Sequence, residues 1–143
     1  MIAVDTNLLV YAHRSGAPEH GRARRAIEAA ANSERGWGIA LASIGEFWSI
    51  VTHPLVGRGR EAARRAAAFL RALVTNAEML VWVPGPGFEG RLVERALALD
   101  VRGPRVFDLQ IALTALEHGA REIWTHDAAF VSGAGIAVHD PLA

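Results

Sequence analysis

The chain contains no cysteine and no lysine in 143 residues. The first absence excludes disulfides, thiolate zinc sites and cysteine nucleophiles, and suits a reducing compartment. The second excludes a Walker A phosphate loop and Schiff-base chemistry, both of which need the lysine amine. No apolar run approaches the roughly 18 residues of a membrane span, and Met1 leads within one residue into an apolar segment, with neither a basic n-region nor a cleavage site. The expectation is a cytoplasmic protein with no membrane partner. Linkers, repeats and low-complexity tracts are also missing, so one domain over residues 1–143 is expected. A domain of this size buries roughly two-thirds of the surface that its unfolded chain exposes.

Fifteen arginines balance fifteen acids. Neutral net charge argues against a nucleic-acid partner. The balance changes if four carboxylates gather in one pocket, because eleven acids then face fifteen arginines and the remaining surface is basic. Arginine is also the better fork for phosphate oxygens.

Short apolar runs alternate with helical periodicity along the chain. Strands are expected over 2–5, 37–41, 80–83, 122–125 and 136–139. Helices are expected over 19–32, 43–53, 61–74, 88–99 and 108–119, with residues 55–60 a loop. In the third helix Ala62, Ala66, Phe69, Leu70 and Leu73 share one face, and Glu61 and Arg65 are spaced as an i,i+4 pair. This alternation predicts an α/β fold, a parallel sheet with helices on both faces.

Four acids fall at related places in that pattern. Asp5 closes the first strand between two apolar segments, Glu46 lies in the helix after the second strand, Asp127 follows the fourth, and Asp108 opens a helix. Ligands of open parallel sheets bind beyond the carboxyl ends of the strands. Four carboxylates in one pocket raise one another's pKa unless a cation joins them, and an all-oxygen donor set favours Mg²⁺ or Mn²⁺ over Zn²⁺. Taken singly, the acids have plainer readings. Ser43 and Glu46 have capping-box spacing, and Asp108 and Asp127 stand where N-caps stand.

The stretches "VDTNLLVYA", "SIGEF", "DLQIALTALEHGA" and "WTHDAAF" together resemble the four acidic blocks of PIN-domain ribonucleases. The closer resemblance is to the toxin subunits of bacterial VapBC toxin–antitoxin pairs, on "THPLVGRGR" and "PGPGF" as well. It implies a three-layer α/β/α fold with a five-stranded parallel sheet. It also implies a divalent-metal site built from Asp5, Glu46, Asp108 and Asp127, and RNA cleavage by metal-activated water. Asn7 and Thr125 would orient water or the carboxylates. The implied partners are RNA, a cognate antitoxin whose C-terminal segment folds onto the toxin, and a second copy of the chain. Arg14, Arg102 and Arg105 would be available to RNA phosphates, and "LVYA" and "FWSIV" would offer a groove to an antitoxin helix. The chain departs from the pattern at Ala129, where many relatives carry another acid, and at Leu109, where they often have alanine.

Two other classes of function remain open from the sequence: a catalytically silent binding module whose acids act as caps, and a PIN nuclease of RNA processing outside toxin modules. "GPGFEG" at 85–90 formally matches a dinucleotide fingerprint. Pro86 removes an amide that a pyrophosphate would use, and the preceding strand is not the first of the sheet, so that reading is rejected. Trp37, Phe47, Trp48, Trp82 and Trp124 are expected in the core, and His53 and His126 in surface or structural roles.

Overall fold

Strands form where the short apolar runs fall. In a computed structural model, which describes residues 1–55, 59–133 and 135–143, these are β1 (Ile2–Val4), β2 (Trp37–Ala40), β3 (Leu80–Trp82), β4 (Glu122–Trp124) and β5 (Ala137–His139). They make one parallel sheet in the order β3-β2-β1-β4-β5. Side chains alternate across it as the pleat requires. Ile2 and Val4 join Leu8, Leu9, Ile39 and Phe47 on one face, whereas Ala3 joins Trp82, Ile111 and Ala112 on the other. Both faces of the central strands β1 and β2 are therefore buried, as a parallel sheet demands, while the edge strands β3 and β5 are largely exposed. Gly38 is fixed by packing, because a Cβ there would lie 2.7 Å from the Leu80 carbonyl oxygen on β3.

The helices are α1 (Thr6–His13), α2 (His20–Ala31), α3 (Leu41–Val51), α4 (Gly59–Asn76), α5 (Phe88–Ala98) and α6 (Val106–Glu117), with a 3-10 turn at Gly103–Arg105. Residues of α1, α2 and α4 pack on the Ile2/Val4 face, residues of α6 on the Ala3 face, and α5 lies against α6. This is the expected three-layer α/β/α arrangement. Among the described residues no helix is long and apolar enough to cross a membrane.

The largest departure from expectation is α1, which the sequence reading left unassigned. Asp5 does not end a strand that stops; it follows Val4 and caps α1, its Oδ1 accepting from the Thr6 amide at 2.7 Å. The other caps expected of acids are not formed. α3 starts at Leu41 with Ala40 as its N-cap, placing Glu46 in the second turn, and the Ser43 hydroxyl is buried without a partner among the described residues. α6 starts at Val106, ahead of Asp108, and Asp127 begins no helix. In the expected loop 55–60, Gly59 and Arg60 already belong to α4, and 56–58 lie outside the described residues. Glu61 and Arg65 form no ion pair, whereas Arg24 and Glu28 on α2 do, at 3.8 Å. Trp37, Phe47 and Trp82 are buried and Trp124 partly so, but Trp48 is 40% exposed.

Candidate active site

The order β3-β2-β1-β4-β5 places its reversal at the neighbours β1 and β4, and both strands run out toward the same edge. A crevice beyond that edge is the expected ligand site. There a cavity of about 380 Å³ is lined by Asp5, Thr6, Asn7, Tyr11, Glu46, Ile50, Asp108, His126 and Asp127. All four acids singled out in the sequence are brought to it. Asp5 comes from the end of β1, Glu46 from α3, Asp108 from the first turn of α6 and Asp127 from the segment after β4.

Its innermost part is a hydrogen-bonded cluster. Asp5, 6% exposed, accepts at Oδ2 from the Thr125 hydroxyl at 2.7 Å and from Asn7 Nδ2 at 3.0 Å. Asn7 Nδ2 also donates to Thr125 Oγ1 at 2.8 Å, its Oδ1 accepts from the His126 amide at 3.1 Å, and the Asp127 amide donates to Thr125 Oγ1 at 3.1 Å. Asn7 and Thr125 thus lock the end of β1 to the segment after β4 and set the orientation of Asp5. Burial nevertheless pushes the Asp5 carboxyl up to about 6; the Thr125 and Thr6 donors counter it, and the charges of Glu46 and Asp108 add to it. Burial also raises Glu46, the nearby Thr6 hydroxyl offsets part of the rise and the Asp108 charge adds to it. That hydroxyl is buried and makes no hydrogen bond of good geometry among the described residues.

The rim differs. Arg105 Nη1 donates to Asp127 Oδ2 at 2.8 Å and to Asp108 Oδ2 at 3.0 Å, bridging two of the four acids. The Arg105 guanidinium holds Asp127 below the usual carboxylate range, helped by the Ala129 amide on Asp127 Oδ1 at 2.9 Å. The Val131 amide reaches Asp108 Oδ2 at 3.3 Å. His126 and Tyr11 wall the cavity, their rings edge to face with centroids 6.1 Å apart, and the His126 Nδ1 lies 2.9 Å from an Asp140 carboxylate oxygen. Nothing in the sequence pattern points to Thr6, Tyr11 or Arg105 as cavity residues, and His126 is expected in a surface or structural role. His53 does not line it; its Nδ1 accepts from the Leu55 amide at 3.2 Å.

The donor chemistry fits a hard divalent cation: four carboxylates, no thiol, and a buried hydroxyl lacking a partner at the cavity wall. As the side chains stand, no three acidic, histidine or cysteine groups among the described residues converge on one ion position. Two of the four carboxylates are turned to Arg105, which supplies the positive charge at the rim.

A family model described as PIN domain matches residues 2–135. Ribonuclease VapC24 of Mycobacterium tuberculosis is 30% identical, over 99% of this chain and 97% of its own length. Ribonuclease VapC43 of the same organism is 29% identical over 84% of this chain and 82% of its own. In solved structures, FitAB bound to the IR36 DNA fragment has a chain that matches with a TM-score of 0.73 at 16% identity, covering 100% of this chain and 96% of that one. VapC20 of Mycobacterium tuberculosis, a sarcin-ricin loop cleaving toxin, matches with a TM-score of 0.68 at 19% identity, covering 92% and 98%. The structural likenesses show the same fold; with the sequence match, they place the chain in the PIN-domain family.

Proposed function

We propose that the chain is an endoribonuclease of the VapC type, the toxin of a toxin–antitoxin pair, and that the acidic cavity is where it hydrolyses RNA phosphodiesters. The observation that carries this reading is the gathering of Asp5, Glu46, Asp108 and Asp127 from four separate elements around one cavity at the switch point of the sheet. Those four residues would hold Mg²⁺ or Mn²⁺. When bound, such an ion supplies the charge that makes water a nucleophile near neutral pH and that stabilises a leaving oxygen.

The chain's own residues do the rest. Thr125 and Asn7 hold Asp5 in one rotamer, so that its oxygens present a fixed face to the cavity. Arg105 neutralises the rim and supplies a cation there for an entering phosphate. Tyr11, Ile50 and His126 line the walls. A cognate antitoxin is the partner in this reading, since an unguarded nuclease would damage its own cell. An arginine from it would pair with the same carboxylates as Arg105 does. Exposed apolar side chains, among them Trp48, Val93 and Leu97, suit binding to an antitoxin or to a second copy of the chain.

The test is cleavage of single-stranded RNA by purified protein. Activity should require Mg²⁺ or Mn²⁺, stop in excess EDTA and be lost in Asp5→Asn and Asp127→Asn. Unchanged cleavage in EDTA or in either variant would refute the mechanism.

One observation favours a second reading, a silent PIN module: Arg105 already pairs with two acids, and Asp5 already serves as a cap. A silent module would bind its partner without cutting RNA under any metal. Growth arrest on expression alone, relieved by Asp108→Ala, would exclude it.

A further inference from the structure

Beside the acidic cavity, behind the C-terminal ends of α1 and α3, lies a second one of about 630 Å³ whose lining includes His13, Arg14, Val51, Ala62 and Arg65. The two share a wall. Tyr11 and Ile50 face the acidic cavity, whereas His13, Arg14 and Val51 face the second, and Arg14 Nη2 reaches across to the Ile50 carbonyl oxygen at 3.4 Å. Glu46, which lines the acidic cavity, and Val51, which lines the second, are five residues apart on α3, a rise of about 7.5 Å along the helix axis and comparable to about two nucleotide steps.

This cavity has the opposite charge. Among the described residues no carboxylate lines it, and neither Arg14 nor Arg65 forms an ion pair. Arg14 Nη2 is held by the Ile50 carbonyl, while its buried Nε has no hydrogen-bond partner among the described residues, so the fork is fixed beside the cavity but not fully satisfied. The His13 ring packs on Phe69 and Phe47, with centroids 4.9 and 5.4 Å away, so the floor is fixed. Burial chiefly, with the charges of Arg65 and Arg14 adding to it, lowers the pKa of His13. Two arginine forks around an open space match the oxygens of a phosphate.

We propose that this second cavity binds a backbone phosphate of the RNA next to the phosphodiester being cut, with Arg14 and Arg65 as its ligands. The inference rests on the ribonuclease reading of the acidic cavity. A polyanion approaching four carboxylates needs cations close by, and these arginines stand behind the shared wall. An acidic segment of a protein partner is the competing occupant.

The experiment measures kcat and KM on a single-stranded RNA oligonucleotide with Mg²⁺ over a range of salt, for wild type, Arg14→Gln and Arg65→Gln. Arg65 is exposed on α4, so its replacement leaves the fold intact even if Arg14→Gln lowers the melting temperature. Each variant should raise KM about tenfold with kcat unchanged, as for a lost charge-assisted bond. Each should also flatten the slope of log(1/KM) against log salt by about 0.7, the value for one phosphate contact on a single strand. If wild type cuts RNA and both variants match it in KM and slope, the proposal fails while the ribonuclease reading stands. If wild type cuts no RNA, that reading fails and takes the proposal with it. If the variants keep wild-type KM but lose affinity for the antitoxin, the cavity belongs to the protein partner and the proposal is overturned.

Discussion

At the inner end of the acidic cavity, Asp5 and Glu46 have no ion-pair partner among the described residues, and burial raises both, Asp5 to about 6. At the rim, Asp108 and Asp127 share Arg105, which holds Asp127 below its ordinary range. The same residue type in one cavity is thus held in two ways, by desolvation within and by an ion pair without. The difference locates the charge deficit: a divalent cation gains most at the inner pair, while at the rim it competes with a guanidinium already in place.

The strongest way to break this comparison is to remove the inner acids. Asp5→Ala or Glu46→Ala should lower RNA cleavage by more than about a hundredfold, beyond the 10- to 100-fold typical of residues that only support metal ligands. Asp127→Ala should cost as much in cleavage yet leave the Asp5 titration in place. Steady-state assays at saturating Mg²⁺ check both, and retained activity in the inner variants would reverse the assignment of the two ends.

The next effect is on stability. The folded-state pKa of Asp5 is raised, so the folded state keeps a proton that the unfolded chain has released between about pH 4 and pH 6. Stability is therefore full below pH 4 and falls as pH rises through 6, by about 3 kcal/mol from this group. Urea melts of metal-free protein from pH 4.5 to 8 should show that fall, and added Mg²⁺ should offset it at the upper end, where the ligands are ionised. A flat profile would show that Asp5 is ionised throughout.

How much of this was legible in the sequence follows from how each element is buried. The strands and the amphipathic helices α2, α4 and α5 were readable, because one face of each helix stays wet and leaves a period. α1 was not: Thr6, Leu8, Leu9, Val10 and Ala12 are all buried, so "TNLLVYAH" carries no helical stripe. The four acids were readable by their places after strands and near helix starts, although α3 and α6 begin earlier than their polar residues suggested. Arg105 was not readable as a cavity residue, because its tie to Asp127 spans 22 positions and exists only once α6 packs beside β4. Thr6 was hidden for the reason that α1 was.

Smaller changes sharpen the contrast. Thr125→Val removes the hydroxyl that donates to Asp5 and accepts from Asn7 and the Asp127 amide. It should destabilise the protein by about 1–3 kcal/mol in chemical denaturation and reduce cleavage roughly 10- to 100-fold. Arg105→Ala should act the other way on metal. Freed of an exposed ion pair, the rim should bind Mg²⁺ a few-fold more tightly, with little change in the inner pair. Calorimetric titration of the variant against wild type checks this, and weaker Mg²⁺ binding would make Arg105 a support of the site.

The central claim, that unpaired inner carboxylates make this a divalent-cation site, is tested most directly by the melting temperature at pH 7.5 as Mg²⁺ is titrated into metal-free protein. Binding to the folded state alone must raise it, by about 2.7 kcal/mol of stability at a hundred times Kd. The account predicts a saturable rise in wild type that disappears in Asp5→Ala and in Glu46→Ala; a wild-type melting temperature that does not move with Mg²⁺ or Mn²⁺ would contradict it.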